Sequence, residues 1–156
     1  MNTPLQIAPV SDPAKAPYSL LLLADPSVEH INAYLNEGSC YLAYLQESVV
    51  GVMILSETAP GEIEIKNIAI REDFQGRGFG RQLLHYAETI SRQKGYARLL
   101  IGTGNSSIGQ LALYQKAGFE MKRIEHNFFL EQYEAPIYEN GIQCKHKIVL
   151  EKLLPL

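Results

Sequence analysis

The stretch Glu62 to Arg81 reads EIEIKNIAIREDFQGRGFGR, and the fold follows from it. Glu62, Glu64 and Lys66 alternate with Ile63 and Ile65, the two-residue period of a strand with one polar face. At Asn67 the alternation breaks, and Ile68, Ala69 and Ile70 are apolar in succession. Such a break marks either a β-bulge or a strand that becomes covered on both faces. After Arg71-Glu72-Asp73 comes Gln75-Gly76-Arg77-Gly78-Phe79-Gly80-Arg81, which runs straight into a helical pattern. Glycines let the backbone approach a ligand closely, and a helix start leaves several N–H groups unpaired. Those donors and the positive end of the helix dipole suit a phosphate, and Arg77 and Arg81 add full charges. The segment is an anion site.

Spacing narrows the anion. A dinucleotide fingerprint G-x-G-x-x-G/A begun at Gly76 fails at Arg81, and begun at Gly78 it fails at Leu83. A Walker A loop needs Gly-Lys before Ser or Thr, and Gly-Lys occurs nowhere in the chain. What remains is Gln-x-x-Gly-x-Gly between a strand and a helix, filled by Gln75, Gly78 and Gly80.

Upstream, Leu5 to Val10 reads as a short strand, Tyr18 to Ala24 as a brief helix, and Val28 to Asn36 as a second helix capped by Ser27. Cys40 to Gln46 and Val49 to Glu57 form a hairpin with a tight turn, and Ala59-Pro60-Gly61 turns the chain into the organising strand. Downstream, the helix after the glycine loop carries the stripe Leu83, Leu84, Ala87 and Ile90. It stops near Gly95, and Ala97 to Ile101 is the next strand. Strand, helix and strand of this length make a right-handed crossover between parallel neighbours. Gly102 to Ser107 reads as a second turn, with Asn105, Ser106 and Ser107 offering N-cap chemistry to a helix carrying Ile108, Leu111, Ala112 and Tyr114. Gly118 fits its left-handed C-terminal position. Two strand-like segments, Phe119 to Leu130 and Gly141 to Leu153, close the chain around a loop from Glu131 to Asn140. The expectation is an α/β (α+β) fold: a mixed, twisted sheet of six or seven strands with helices on both faces. Its parallel pair, around Ile68 and Leu100, should splay at the C-terminal ends into a cleft.

Composition bounds the rest. A chain of 156 residues is expected to form one domain, 1–156, with an ordinary core. A net charge of −3 argues against a nucleic-acid surface. No apolar run approaches the ~20 residues of a membrane helix, and the N-terminus lacks the pattern of a signal peptide, so a cytoplasmic protein is expected. Cys40 and Cys144 suggest no disulfide framework, and Cys40 lacks a neighbouring base that would make it a nucleophile. Cys144 and His146 are too few for a metal, and His126 reads as a solvated or hydrogen-bonded side chain.

The Gln-x-x-Gly-x-Gly loop after a bulged strand resembles the acetyl-CoA pyrophosphate loop of the GNAT superfamily of N-acetyltransferases. Leu113-Tyr114-Gln115-Lys116-Ala117-Gly118-Phe119 resembles that family's Leu-Tyr-x-x-x-Gly-Phe segment. The tail from His126 to Cys144 looks like that of a small bacterial subgroup. The resemblance implies acetyl-CoA as co-substrate, no metal, and acetyl transfer to a primary amine by direct attack. It assigns cofactor contacts to Ile68, Ala69 and Ile70 on the bulged strand, and to Gln75, Gly76, Arg77, Gly78, Phe79, Gly80 and Arg81 on the loop. The N–H of Ile68 would face the thioester carbonyl, and Ile70 would pair with the pantetheine amide. The family's usual Asn, seven residues before the Tyr, is here Ser107, with Asn105 two residues earlier; either one would meet the pantetheine arm. Tyr114 takes the role of protonating or orienting the departing thiolate, against a plain core reading. Glu64 lies where several members have their general base, although others use a water chain. The rival from another class is an acetyl-CoA-binding sensor or interaction domain without catalysis.

Glu57, Glu62 and Glu64, with Asp25, Glu29 and Glu37, suggest a cleft that draws a small cationic amine such as a polyamine, an aminoglycoside-like compound or a lysine-type side chain. Tyr133 and Tyr138 equally suggest an aromatic wall that favours a less charged acceptor, or a contact in a homodimer. No nucleic acid or membrane partner is expected.

Overall fold

The computed structural model describes residues 4–155. Its elements are β1 (Gln6–Val10), α1 (Tyr18–Ala24), α2 (Val28–Glu37), β2 (Ser39–Leu45), β3 (Ser48–Ala59), β4 (Glu62–Ile70), α3 (Phe79–Gln93) and β5 (Arg98–Gly104). Then follow α4 (Ile108–Lys116), β6 (Glu120–Glu125), α5 (Phe128–Gln132), β7 (Tyr138–Glu139), β8 (Ile142–Gln143) and β9 (Lys147–Leu153). Seven strands form one sheet in the order β1-β2-β3-β4-β5-β9-β6, and β7 and β8 pair separately. Within the large sheet β4 and β5 are parallel and the other neighbours antiparallel. The mixed sheet expected from the sequence is therefore present.

Strand alternation sends side chains to two cores, one on each face. Tyr41, Ala43, Met53, Leu55, Ile63 and Ile65 pack with Leu83, Leu84 and Ala87 of α3 and with Tyr114 of α4. Cys40, Leu42, Val52 and Ile54 pack on the other face with Leu20 and Leu21 of α1 and Ile31 and Leu35 of α2. Within α3 the buried stripe extends from Phe79 to Ser91, with Ile90 only partly buried. In α4 the apolar reading was too generous, because Ile108 is 51% exposed and Tyr114 is the helix's only fully buried residue.

The phase break in β4 is a bulge. Asn67 pairs with Ile54 and Ile65 with Leu55, so Lys66 is the extra residue on β4. Parallel pairing to β5 runs from Glu62↔Arg98 to Ile65↔Ile101 and then stops. Beyond that point β4 keeps only β3, and β5 keeps only β9. The two strands diverge into a cleft whose one side is the backbone edge of residues 66–70, left without a strand partner by β5.

Two sequence expectations need correction here. The strand predicted to end at Ile101 runs on to Gly104, because β9 holds it through Gly102↔Val149, Thr103↔Ile148 and Gly104↔Lys147. Glycine leaves room there for a reason unrelated to turning. A Cβ on Gly102 would collide with the Lys147 side chain, and one on Gly104 with the Cys144 sulfur, so both chains lie flat across bare backbone. The second correction is the closing segment. Residues 128–132 are helical, and Asn140 and Gly141, at φ 56° and 73°, turn β7 into β8. Asn-Gly at that position is a hairpin signal, and it was obscured by the long strand-like run around it.

Candidate active site

A cleft of about 980 Å³ opens between the diverging strands, lined by β4, the glycine loop, the end of β5, α4 and the α5 segment. Sequence chemistry explains each wall. Gly78 is the N-cap of α3 at φ 83°, and its lack of a side chain leaves the first turn uncapped. The first intrahelical bond is Gln82 N–H to the Gly78 carbonyl, so the N–H groups of residues 79–81 have no partner in the helix. Gln75 fastens the loop to the strand, donating from Nε2 to the Ile70 carbonyl at 2.9 Å. Gly76, at φ 77°, has open space where a Cβ would stand.

Ile68, Ala69, Ile70, Gln75, Gly76, Gly78, Phe79, Gly80 and Arg81 line the cleft. Phe79 does so while its ring sits in the core at 4% exposure, so its contribution to the loop is backbone. Arg81 spends one guanidinium N–H on the Lys116 carbonyl at 3.1 Å, tying α3 to the end of α4. Arg77 is outside the lining and stacks on Phe74, 5.0 Å from its ring.

The alternatives at Asn105 and Ser107 separate clearly. Asn105 donates to the Gln143 carbonyl and accepts from the N–H groups of Lys145 and His146, so both ends of its amide fasten the tail. Ser107 lines the cleft and donates its hydroxyl to Glu139 at 2.8 Å. Its side chain caps no helical N–H, contrary to the expectation for this turn.

Glu64 and Tyr114 enter the same cleft. Glu64 is 6% exposed, with Lys147 at 3.2 Å and Lys66 at 3.5 Å from its carboxylate oxygens. Tyr114 is 5% exposed, and its hydroxyl makes no hydrogen bond to any described residue. Burial raises its pKa well above the ordinary phenol range and keeps the proton on.

The other carboxylates are not gathered as expected. Glu62 pairs with Arg98 at 3.5 Å and Lys122 at 3.9 Å, takes a bond from the Thr58 hydroxyl, and stands outside the lining. Glu57 and Glu29 are also outside it. Asp25 lines the cleft but accepts from the hydroxyls of Tyr34 at 3.0 Å and Tyr133 at 2.8 Å, and from the Ser27 N–H. Asn67 completes this network by donating to Tyr34 and to the Leu21 carbonyl. The network pins α1, α2 and the α5 segment to the bulge, and sequence reading missed it. Only Asp25-Pro26-Ser27, a capped turn between two helices, hinted at a structural role. Asp25→Ala would strand two phenol donors, and it should lower unfolding free energy by about 3 kcal/mol, measurable by urea titration. A loss below about 1 kcal/mol would mean that the clasp contributes little.

Cys40 is buried in the second core, which pushes its thiol up to about 11, and burial also raises Cys144. His126 and His146 stand edge to face at 5.0 Å, and His146 accepts from the Asn127 N–H. Among the described residues no three His, Cys, Asp or Glu side chains gather as a metal site. No described helix is long and apolar enough to cross a membrane.

A sequence model of the acetyltransferase (GNAT) family matches residues 11–119. The chain belongs to the GNAT acetyltransferase family. It is 48% identical over 133 residues to Uncharacterized N-acetyltransferase YvbK of Bacillus subtilis, covering 85% of this chain and 86% of that one. A GNAT family acetyltransferase from Elizabethkingia anophelis, solved with acetyl-CoA bound, superposes at a TM-score of 0.94. The two are 47% identical over 96% of this chain and 98% of the other. A Bacillus subtilis acetyltransferase in complex with CoA gives a TM-score of 0.91 at 44% identity, over 97% and 99% of the two chains. Two relatives of the same fold are thus solved with acetyl-CoA or CoA bound.

Proposed function

We propose that the protein transfers the acetyl group of acetyl-CoA to a small primary amine by direct attack in a ternary complex. The observation that carries this reading is one cleft holding a bare strand edge, an uncapped helix start, a buried carboxylate and an unbonded buried phenol. The pyrophosphate meets the N–H groups after Gly78, with Arg81 adding charge. The pantetheine arm runs along residues 68–70 and past Ser107, and the Ile68 N–H faces the thioester carbonyl.

The acceptor enters as its ammonium, the cationic form at neutral pH, and gives a proton to Glu64 directly or through a water. The freed nitrogen attacks the thioester carbon, and negative charge gathers on oxygen, where a fixed N–H can contribute ~3 kcal/mol. As the carbon–sulfur bond breaks, Tyr114 gives its proton to the thiolate and the nitrogen loses its second proton to water; Tyr114 then regains a proton from solvent and Glu64 releases its own. The products are an N-acetyl amide and CoA thiol.

Gly78→Val tests the cofactor half. A β-branched residue at positive φ strains the loop by about 1–2 kcal/mol and puts methyl groups where the phosphates approach. Acetyl-CoA affinity by calorimetry should fall at least about 30-fold, or roughly 2 kcal/mol, with the protein still folded. Affinity equal to the parent's would remove the loop from the binding site. Thiol release with acetyl-CoA over a panel of primary amines tests the whole reading.

A further inference from the structure

The acceptor side of the cleft has a wall that neither the chemistry above nor the family pattern accounts for. His30 and Tyr133 have ring centroids 4.7 Å apart, Tyr133 stacks on Phe129 at 5.6 Å, and Phe129 meets Phe128 edge-on at 5.1 Å. These four rings form a continuous ribbon, and all four line the cleft. The ribbon ends beside Glu64: Lys147, whose ammonium pairs with Glu64, also lies 5.0 Å from the centre of the Phe128 ring. Leu22 and Leu23 of α1 line the same cleft at 39% and 45% exposure, apolar side chains that the core leaves uncovered.

Charge in this region is largely spent. Asp25 is held by two phenols and Glu139 by the hydroxyls of Ser106 and Ser107, while Glu64, between Lys66 and Lys147, is reserved for the one ammonium that reacts. Glu37, at the end of α2, is the lining carboxylate left without a hydrogen bond or ion pair among the described residues. A polycation needs several unspent carboxylates at intervals, and this wall offers one. An aromatic body needs apolar and ring surface leading up to a carboxylate, and the wall supplies that.

Resting on the transfer reading above, we propose that the acceptor is an arylalkylamine: a primary amine whose ring lies along the Phe128–Phe129–Tyr133 ribbon and against Leu22 and Leu23. Its ammonium then reaches Glu64 at the end of the ribbon. Asp25 holds Tyr133 in place through its hydroxyl, so the wall is set before the acceptor arrives.

The test is initial-rate CoA release with saturating acetyl-CoA and four acceptors: phenethylamine, tryptamine, hexylamine and spermidine. The aryl amines should exceed hexylamine and spermidine at least 10-fold in kcat/KM, with a KM little changed by added salt. Leu23→Gln, at an exposed position, and Phe129→Leu, which keeps volume, should each raise KM for the aryl amines at least 5-fold. KM for acetyl-CoA should not move in either variant. Spermidine or hexylamine matching the aryl amines, or an aryl preference that survives both substitutions, would overturn the proposal while amine acetylation stood. No CoA release with any of the four would instead overturn the transfer reading on which it rests.

Discussion

Tyr114→Phe is expected to lower kcat about 10²-fold while KM for acetyl-CoA stays within about a factor of two. The phenol is buried in the cleft, its proton is held by burial, and no described residue bonds its hydroxyl. Removing that oxygen costs no hydrogen bond among the described residues and keeps the ring's packing on Phe119, whose centroid is 6.3 Å away. Stability should therefore change by less than about 0.5 kcal/mol. A group that acts on the leaving thiolate in the transition state should appear in kcat and not in cofactor affinity. Rapid-quench or steady-state measurement beside a thermal melt decides the matter. An unaltered kcat would return Tyr114 to a purely packing role.

Glu64→Gln is expected to lower kcat/KM for the amine about 10²-fold near neutral pH, with the deficit closing as pH rises. At high pH more of the acceptor is already free amine, so a base in the enzyme matters less. The structural cost runs alongside, since Lys147 and Lys66 lose the carboxylate between them. Lys147, with 16% of its side chain exposed, still reaches water, so the loss of stability should be about 1–2 kcal/mol. A pH profile separates the two effects. A deficit that is the same at every pH would assign Glu64 to the ion-pair network alone.

Much of the fold was legible because its signals are local. The alternation of Glu62 to Lys66, its break before Ile68, and Gly78 ahead of an apolar stripe are all readable from a few neighbouring residues. The tail was not. Five helical residues are too few to display a period, and α5 is set by Asn127 at φ 62° and by packing of its aromatic side chains. The role of Gly102 and Gly104 was read as turning because glycine in sequence says only that a Cβ is absent. That Lys147 and Cys144 fill the space is a fact of tertiary pairing.

The site divides the same way. The loop and the strand edge come from one continuous stretch, and the geometry brings Gln75 to Arg81 and Ile68 to Ile70 to one cleft, with Arg77 turned onto Phe74. Charge could not be assigned from sequence, because a carboxylate's partner lies far along the chain. Glu62 meets Lys122, Asp25 meets Tyr133, and Glu64 meets Lys147. Each pairing occupies a carboxylate that the sequence counts as free.

The central claim is turnover in a ternary complex within the β4–β5 cleft, and initial-rate kinetics with both substrates varied test it most directly. CoA thiol and N-acetylated amine should form one for one, and double-reciprocal lines should intersect, since both substrates are bound before any bond breaks. Parallel lines would require an acetylated enzyme instead. Acetyl-CoA that binds tightly yet releases no thiol with any amine would make the protein a cofactor-binding domain without catalysis, and would contradict the account at its root.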